Sequence, residues 1–325
     1  MSHSNSSLNC FANCMKAYEH RYVNHTEPDK PPSPHLLFGT MAHEVLYKAG
    51  TLRDAVDDGV ITNDDYWQVI PSEVIGAELK AEFGITSWYK YFVPVIKETA
   101  KYENELKSKM KDAVVEREIK LQLTAEEMKQ LGHHVSQPLV GIIDCLIHND
   151  NEAIILDYKF SSSRKTQDDF DMNSQLPLYA FMVHMIYDIP LHNIQYGYID
   201  IPKKEFGKPT LLSNGTLSRA KDQHLSQEMF EQAVLAVHGE DEKYNCKKGG
   251  HYYDAWCNFA HNKAAYLSIQ YLDAEVYAGV LGDLLDAAVL IDTMRENNMP
   301  FVKKYDSYSC KNCEYLKSCK PWLEV

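Results

Sequence analysis

Two short apolar runs lie close together in the chain and both end on charge: Leu139-Val140-Gly141-Ile142-Ile143-Asp144 and Ile154-Ile155-Leu156-Asp157-Tyr158-Lys159. They are rich in β-branched residues and separated by the turn-prone His148-Asn149-Asp150-Asn151, which predicts a β-hairpin. Strands joined in this way lie about 5 Å apart, so Asp144 and Asp157 can converge on one hard cation, which takes carboxylate, carbonyl and water oxygens. Residues two apart in a strand share a face, which sends Lys159 toward the same point as Asp157. An ammonium there can orient an attacking water or stabilise charge building on a phosphoryl oxygen. Downstream, Gln175 and Tyr179 are four apart in a helical pattern. That spacing stacks them on one face, and Pro177 between them fits only in the first turn of the helix.

The ordered set G-I-I-D, then L-D-Y-K, then Q-x3-Y resembles the PD-(D/E)xK nuclease superfamily, specifically its RecB-like branch. An Asp-x-Lys triplet alone is worth little, because such triplets arise by chance; the order of the whole set is what is specific. The resemblance implies an α/β fold, restriction-endonuclease-like, with a mixed β-sheet core flanked by helices, a helical N-terminal part and a helical C-terminal part. It further implies that Mg2+ or Mn2+ is held by His43, Asp144, Asp157 and the Tyr158 carbonyl, with Lys159, Gln175 and Tyr179 completing the catalytic set. His43 enters through Gly39-x3-His43-Glu44, which is similar to the RecB-like motif whose histidine is an additional metal ligand. A lone helical histidine is otherwise usually structural, and Glu44 reads as solvated.

At 325 residues the chain can bury a large core. We read it as a single elaborated nuclease domain over 1–325, with an N-terminal helical part (1–110), a catalytic sheet core (111–205) and a C-terminal helical part (206–325). No apolar run approaches the roughly 20 residues of a membrane helix, and Met1-Ser2-His3-Ser4-Asn5 opens no signal peptide. A cytoplasmic protein with no membrane partner is therefore expected. The net charge of -13 argues against a general nucleic-acid coat, whose affinity comes from phosphate neutralisation. It does not exclude a nuclease, because a narrow basic groove can coexist with an acidic exterior. Weak, salt-sensitive DNA binding is expected, or help from a helicase or recombinase partner; the chain has no P-loop or helicase motif.

Eight cysteines in such a chain read as thiols or metal ligands rather than disulfides. Cys310, Cys313 and Cys319 form C-x2-C-x5-C, ligand spacing with one thiolate missing. The segment around Cys14, from Ser6 through Tyr22, resembles the N-terminal pattern of RecB-like (AddB-type) nucleases. In those relatives one early cysteine and the terminal trio hold a 4Fe-4S cluster, and the resemblance is compatible with a phage-encoded origin for this chain. The resemblance assigns Cys14, Cys310, Cys313 and Cys319; Cys10 in place of Cys14, and Zn2+ in place of the cluster, are the alternatives. Cys145, inside a predicted strand, reads as a small core residue, and Cys246 and Cys257 as free thiols.

Elsewhere the sequence carries less chemistry. Asn24 to Leu36 is a proline-rich loop, and 51–110 reads as helical, including Tyr66–Ile70 and the aromatic Trp88–Val93. That stripe could stack single-stranded bases, but core packing is its commoner fate. The sheet is expected to begin at Ala113–Leu123, where Glu116 or Glu118 is a candidate to support the metal through a water; an exposed strand face explains both equally. Ile194–Ile201 gives a further strand, and Gln227 to Asn297 reads as mostly helical. Ser218, Arg219 and Lys221 sit in a polar loop that suits a DNA backbone and suits a solvated hairpin as well. The expected function is a Mg2+- or Mn2+-dependent DNA exonuclease in recombination, repair or phage DNA processing. The alternatives are a structure-specific endonuclease and a DNA-end-binding scaffold with a structural or redox cluster.

Overall fold

The two apolar runs fold as the hairpin their sequence predicts. Strand β1 spans Val114–Leu123, β2 Leu139–His148, β3 Ala153–Ser161, β4 Ile194–Pro202 and β5 Tyr266–Tyr271, in the spatial order 1-2-3-4-5. Only β3 and β4 are parallel; the other neighbours are antiparallel. The Asn149 side-chain oxygen accepts from the Asn151 and Glu152 amides and closes the β2–β3 turn, as asparagine does when it mimics a backbone turn. The structure, a computed structural model, describes residues 2–57, 67–72, 76–161, 165–271, 273–304 and 310–319.

Helices α1 (Asn5–Asn13), α2 (Met15–Tyr18), α3 (Pro34–Asp57), α4 (Ala77–Phe83) and α5 (Trp88–Lys107) precede the sheet. Helix α6 (Ala125–Gln130) lies between β1 and β2, α7 (Gln167–Asp171) and α8 (Gln175–Tyr187) between β3 and β4, and α9 (Gln227–His238) and α10 (Tyr253–Phe259) between β4 and β5. Helices α11 (Ala274–Glu296) and α12 (Leu316–Cys319) follow. The result is the mixed sheet flanked by helices that the fold class requires.

Each sheet face has its own core. On one, Leu8 and Phe11 of α1, Leu178 and Met182 of α8, and Leu285 and Ile291 of α11 cover Ile143, Ile155 and Tyr196. Helix α8 is buried continuously from Leu176 to Val183, as expected for a crossover helix clamped between sheet and outer helices. On the other face, Phe38 and Val45 of α3 and Trp88, Phe92 and Ile96 of α5 cover Cys145, Leu156 and Tyr158. Most of the aromatic stripe is core: Tyr89 is exposed, but Trp88, Tyr91 and Phe92 are buried, with Phe92 contributing about 1.5–3 kcal/mol. The Cys145 thiol is buried with them, and a small satellite core of Phe230, Tyr252 and Phe259 also holds the buried Cys246.

Three local differences from the sequence reading have physical causes. Helix α3 starts at Pro34, inside the proline-rich loop, because proline is tolerated at the first helical position. Trp67–Val69 forms a 3-10 turn rather than an α-helix, and Tyr66 falls outside the described residues. The stretch Gln227–Asn297, read as helical, also contains β5, where Leu267 and Ile269 alternate with Ser268 and Gln270 and pack on the second core; this period-two signal covers only four residues inside a helical neighbourhood.

Gly141 in the motif strand has a packing reason. A Cβ there would lie 2.8 Å from the Tyr179 ring and 3.1 Å from the Met182 sulfur, so β2 and α8 approach closely only at glycine. Gly141→Ala is expected to destabilise the protein by about 1–3 kcal/mol, measured by urea unfolding. An unchanged midpoint would show that the helix can move away at no cost.

Candidate active site at the strand fork

Pairing between β2 and β3 runs from His148–Ala153 to Cys145–Leu156. Asp144 and Asp157 are the next residues on each strand, so both carboxylates stand at the mouth of a fork. In place of a strand partner, the Tyr158 N–H donates to Asp144 Oδ2 at 2.7 Å. The other oxygen, Oδ1, lies 3.3 Å from His43 Nδ1, which α3 carries in from the opposite layer. Arg117 pairs with Cys145 and Ile119 with Ile143, which sets Glu118 across from Asp144. Ligand atoms of His43, Glu118 and Asp144 all lie within 4.8 Å of one another.

Glu118 is in the left-handed region, with φ of 47°, a strained conformation for a residue with a Cβ and one that clusters at functional sites. Burial and the neighbouring Asp144 charge raise its carboxyl pKa. His43 shows the opposite balance: burial lowers its pKa, but the hydrogen bond and charge of Asp144 outweigh this and raise it. Asp157 is 3% exposed, and its pKa is pushed from 3.8 to about 6 by burial and by Asp144, against the lowering effect of Lys159. Lys159 Nζ is 2.6 Å from Asp157 Oδ2, yet among the described residues that oxygen has no hydrogen bond of proper geometry. The contact is therefore an ion pair that leaves a buried lone pair open.

Lys159 also donates to Gln175 Oε1 at 3.2 Å, and the Gln175 amide donates to the Tyr179 hydroxyl at 2.8 Å. Both belong to α8, where Pro177 falls in the first turn and costs no helical hydrogen bond. The structure thus brings together His43, Asp144, Asp157, Lys159, Gln175 and Tyr179, and joins Tyr158 to them through its backbone.

The raised Asp157 pKa has a measurable consequence. Between pH 3.8 and about 6 the folded state binds more protons at this site than the unfolded chain does, so its contribution to stability, complete below that window, is lost as pH rises through it. Metal-free Asp157→Asn is expected to melt above wild type at pH 7, with the gap closing near pH 4. Parallel melting curves across that range would contradict this.

Two features escaped the sequence. Glu118 was only a candidate for indirect support; its approach to Asp144 depends on strand register, which no local pattern reveals. Behind the fork, Glu103 accepts from Arg53, Arg117 and the Tyr158 hydroxyl, each at 2.5 Å. The two arginines outweigh burial and keep its pKa below the usual value. These charges are far apart in sequence and meet only on folding. Glu116, by contrast, is engaged by His148 and the Tyr187 hydroxyl, and Asp169 caps α7 through Thr166.

Away from the fork, one cavity is lined by Cys14, Cys310, Cys313 and Cys319, together with His20, Lys303, Lys304 and Tyr315. Among the described residues, no three of its thiols lie within 4.8 Å of one another. Cys10 packs instead against the core, and burial pushes its thiol pKa up to about 11. Ser218 and Arg219 lie in the insertion between β4 and β5, where the Ser218 hydroxyl accepts from the Ala220 amide and Arg219 donates to the His251 carbonyl; Lys221 is exposed nearby.

The fork, with its Asp, its Asp-x-Lys and the histidine brought in by α3, gathers groups that could hold a metal ion beside a lysine. The profile of the PD-(D/E)XK nuclease superfamily matches residues 2–320, and the chain belongs to that superfamily. No curated protein matches it significantly. Among solved structures, the chain is similar to one described as "Crystal structure of SSO0001", with 14% identity, a TM-score of 0.28, and coverage of 77% of this chain and 81% of that one. No helix among the described residues is long and apolar enough to cross a membrane.

Proposed function

We propose that the chain is a deoxyribonuclease of the RecB-like branch, dependent on Mg2+ or Mn2+ and acting as an exonuclease on DNA ends or single strands. One observation carries this reading: an oxygen-rich pocket at the fork stands directly beside a lysine held by Gln175 and Tyr179. The residues fit a hard divalent cation. Three carboxylates, Glu118, Asp144 and Asp157, crowd one imidazole and one ammonium, and Asp157 keeps an unfilled buried lone pair. His43, Asp144, Asp157 and the Tyr158 carbonyl would hold the ion, with Glu118 at its edge. When bound, it would polarise a phosphoryl oxygen and activate water for in-line attack.

The chain's own groups do the remaining work. Gln175 and Tyr179 fix the Lys159 ammonium at the fork, where it orients the attacking water or offsets charge gathering on the phosphate. The Tyr158 amide fixes Asp144, so that its second oxygen faces His43. Ser218, Arg219 and Lys221 are our candidates for contacts to the DNA backbone. The same reading treats 1–325 as one elaborated domain with helical parts at 1–110 and 206–325 around a catalytic core at 111–205, serving recombination, repair or phage DNA processing.

We also read the four-cysteine cavity as the seat of a 4Fe-4S cluster. Cys14 and the terminal trio all line it, whereas Cys10 packs in part against the core, which supports Cys14 over Cys10 as the fourth ligand. Cleavage of end-labelled single- and double-stranded DNA with Mn2+, and its loss in EDTA, tests the nuclease. DNA binding without cleavage would favour the scaffold alternative. Anaerobically purified protein should be brown and contain iron; colourless protein with stoichiometric zinc would reverse the cluster assignment.

A further inference from the structure

We propose that His20 donates a hydrogen bond from Nε2 to a sulfur of the iron–sulfur cluster and so sets its reduction potential. This rests on the cluster reading given above. His20 follows α2 in a π-helical turn, Glu19–Val23. Such turns insert one extra residue into a helix, re-aim the side chains around it and occur frequently at functional sites. Here the turn places the imidazole in the wall of the cavity lined by Cys14, Cys310, Cys313 and Cys319.

The ring is held from two sides. It stacks on Tyr315, with centroids 5.5 Å apart and planes 15° from parallel, and the Tyr315 amide donates to Cys313 Sγ at 3.4 Å. Its Nδ1 is 3.2 Å from Thr26 Oγ1, while the Thr26 amide donates to the His20 carbonyl at 2.8 Å. The Thr26 hydroxyl can donate to Nδ1, the arrangement in which the imidazole proton lies on Nε2.

That second nitrogen is the telling group. His20 is 9% exposed, and its Nε2 is buried with no hydrogen-bond partner among the described residues. A buried polar atom left unsatisfied is costly, so a donor held this firmly against a thiol-lined cavity points to an acceptor within it. Cluster sulfides and cysteine thiolates are such acceptors, and hydrogen bonds to them are among the factors that set cluster potentials. Lys303, on the same wall, is engaged differently, because its Nζ donates to the Cys319 carbonyl at 2.6 Å and so holds the ligand loop.

The test uses the full chain purified anaerobically, with and without 15N-histidine, reduced and examined by pulsed EPR alongside a potentiometric titration. A weak 15N coupling is expected in wild type and its loss in His20→Leu, together with a lower midpoint potential. His20→Gln, whose side-chain amide can donate, should recover part of the shift. A cluster with no histidine coupling and an unchanged His20→Leu potential would overturn the role of the imidazole alone, as would a coupling strong enough for direct iron–nitrogen ligation. Protein without iron would overturn the cluster reading itself. Should His20→Leu fail to fold, the labelled wild-type spectrum still decides.

Discussion

Asp144→Ala and Lys159→Ala are each expected to cut metal-dependent DNA cleavage by roughly 10²–10⁴-fold, with different signatures. Asp144 touches His43 and the Tyr158 amide, so its loss removes a ligand and frees the backbone that positions the fork. The Asp144→Ala defect should therefore ease with rising Mn2+. Lys159 bridges Asp157 and Gln175 and acts on charge rather than on metal retention, so its defect should persist at saturating Mn2+. Gel-based rates on end-labelled DNA across a Mn2+ titration would separate the two. Undiminished cleavage by both variants would show that the fork is not the reacting centre.

The second large effect concerns stability. Glu103, 3% exposed, joins Arg53 on α3, Arg117 on β1 and Tyr158 on β3. Removing one partner of a buried charge network strands the others in low dielectric, at a typical cost of about 3–5 kcal/mol. Glu103→Ala should lose that much in guanidinium unfolding. It should also weaken Mn2+ binding, because Tyr158 supplies the amide that holds Asp144. A loss below about 1 kcal/mol would mean that water reaches the network and solvates the arginines.

Much of the site was legible because its signals are local. The hairpin, the carboxylates at its end, Lys159 two residues on and the Gln175–Tyr179 pair each follow from spacing within one strand or one helical turn. Gly141 was visible as part of the motif, although its reason, the Tyr179 ring, is a tertiary contact. What stayed hidden is what only folding brings together, the register that sets Glu118 against Asp144 and the Glu103 network drawn from four elements, together with β5, an edge strand whose alternation is short. Among these, Glu118 carried the faintest trace, a charged residue in the strand preceding the motif.

The neighbours of α1 have a bearing on how the protein is made. This nine-residue helix is too short to persist alone in water, and it packs on α11; just before it, His3 is bound to Asp292 on α11. At translation rates of about 5–20 residues per second, those partners emerge on the order of 15–60 s later. Helix α1 therefore docks only after α11 has emerged, and its apolar face must be kept from other partners until then. Cys14, immediately after it, waits just as long for Cys310, Cys313 and Cys319, so any metal centre they share can be loaded only once the chain through Cys319 has emerged.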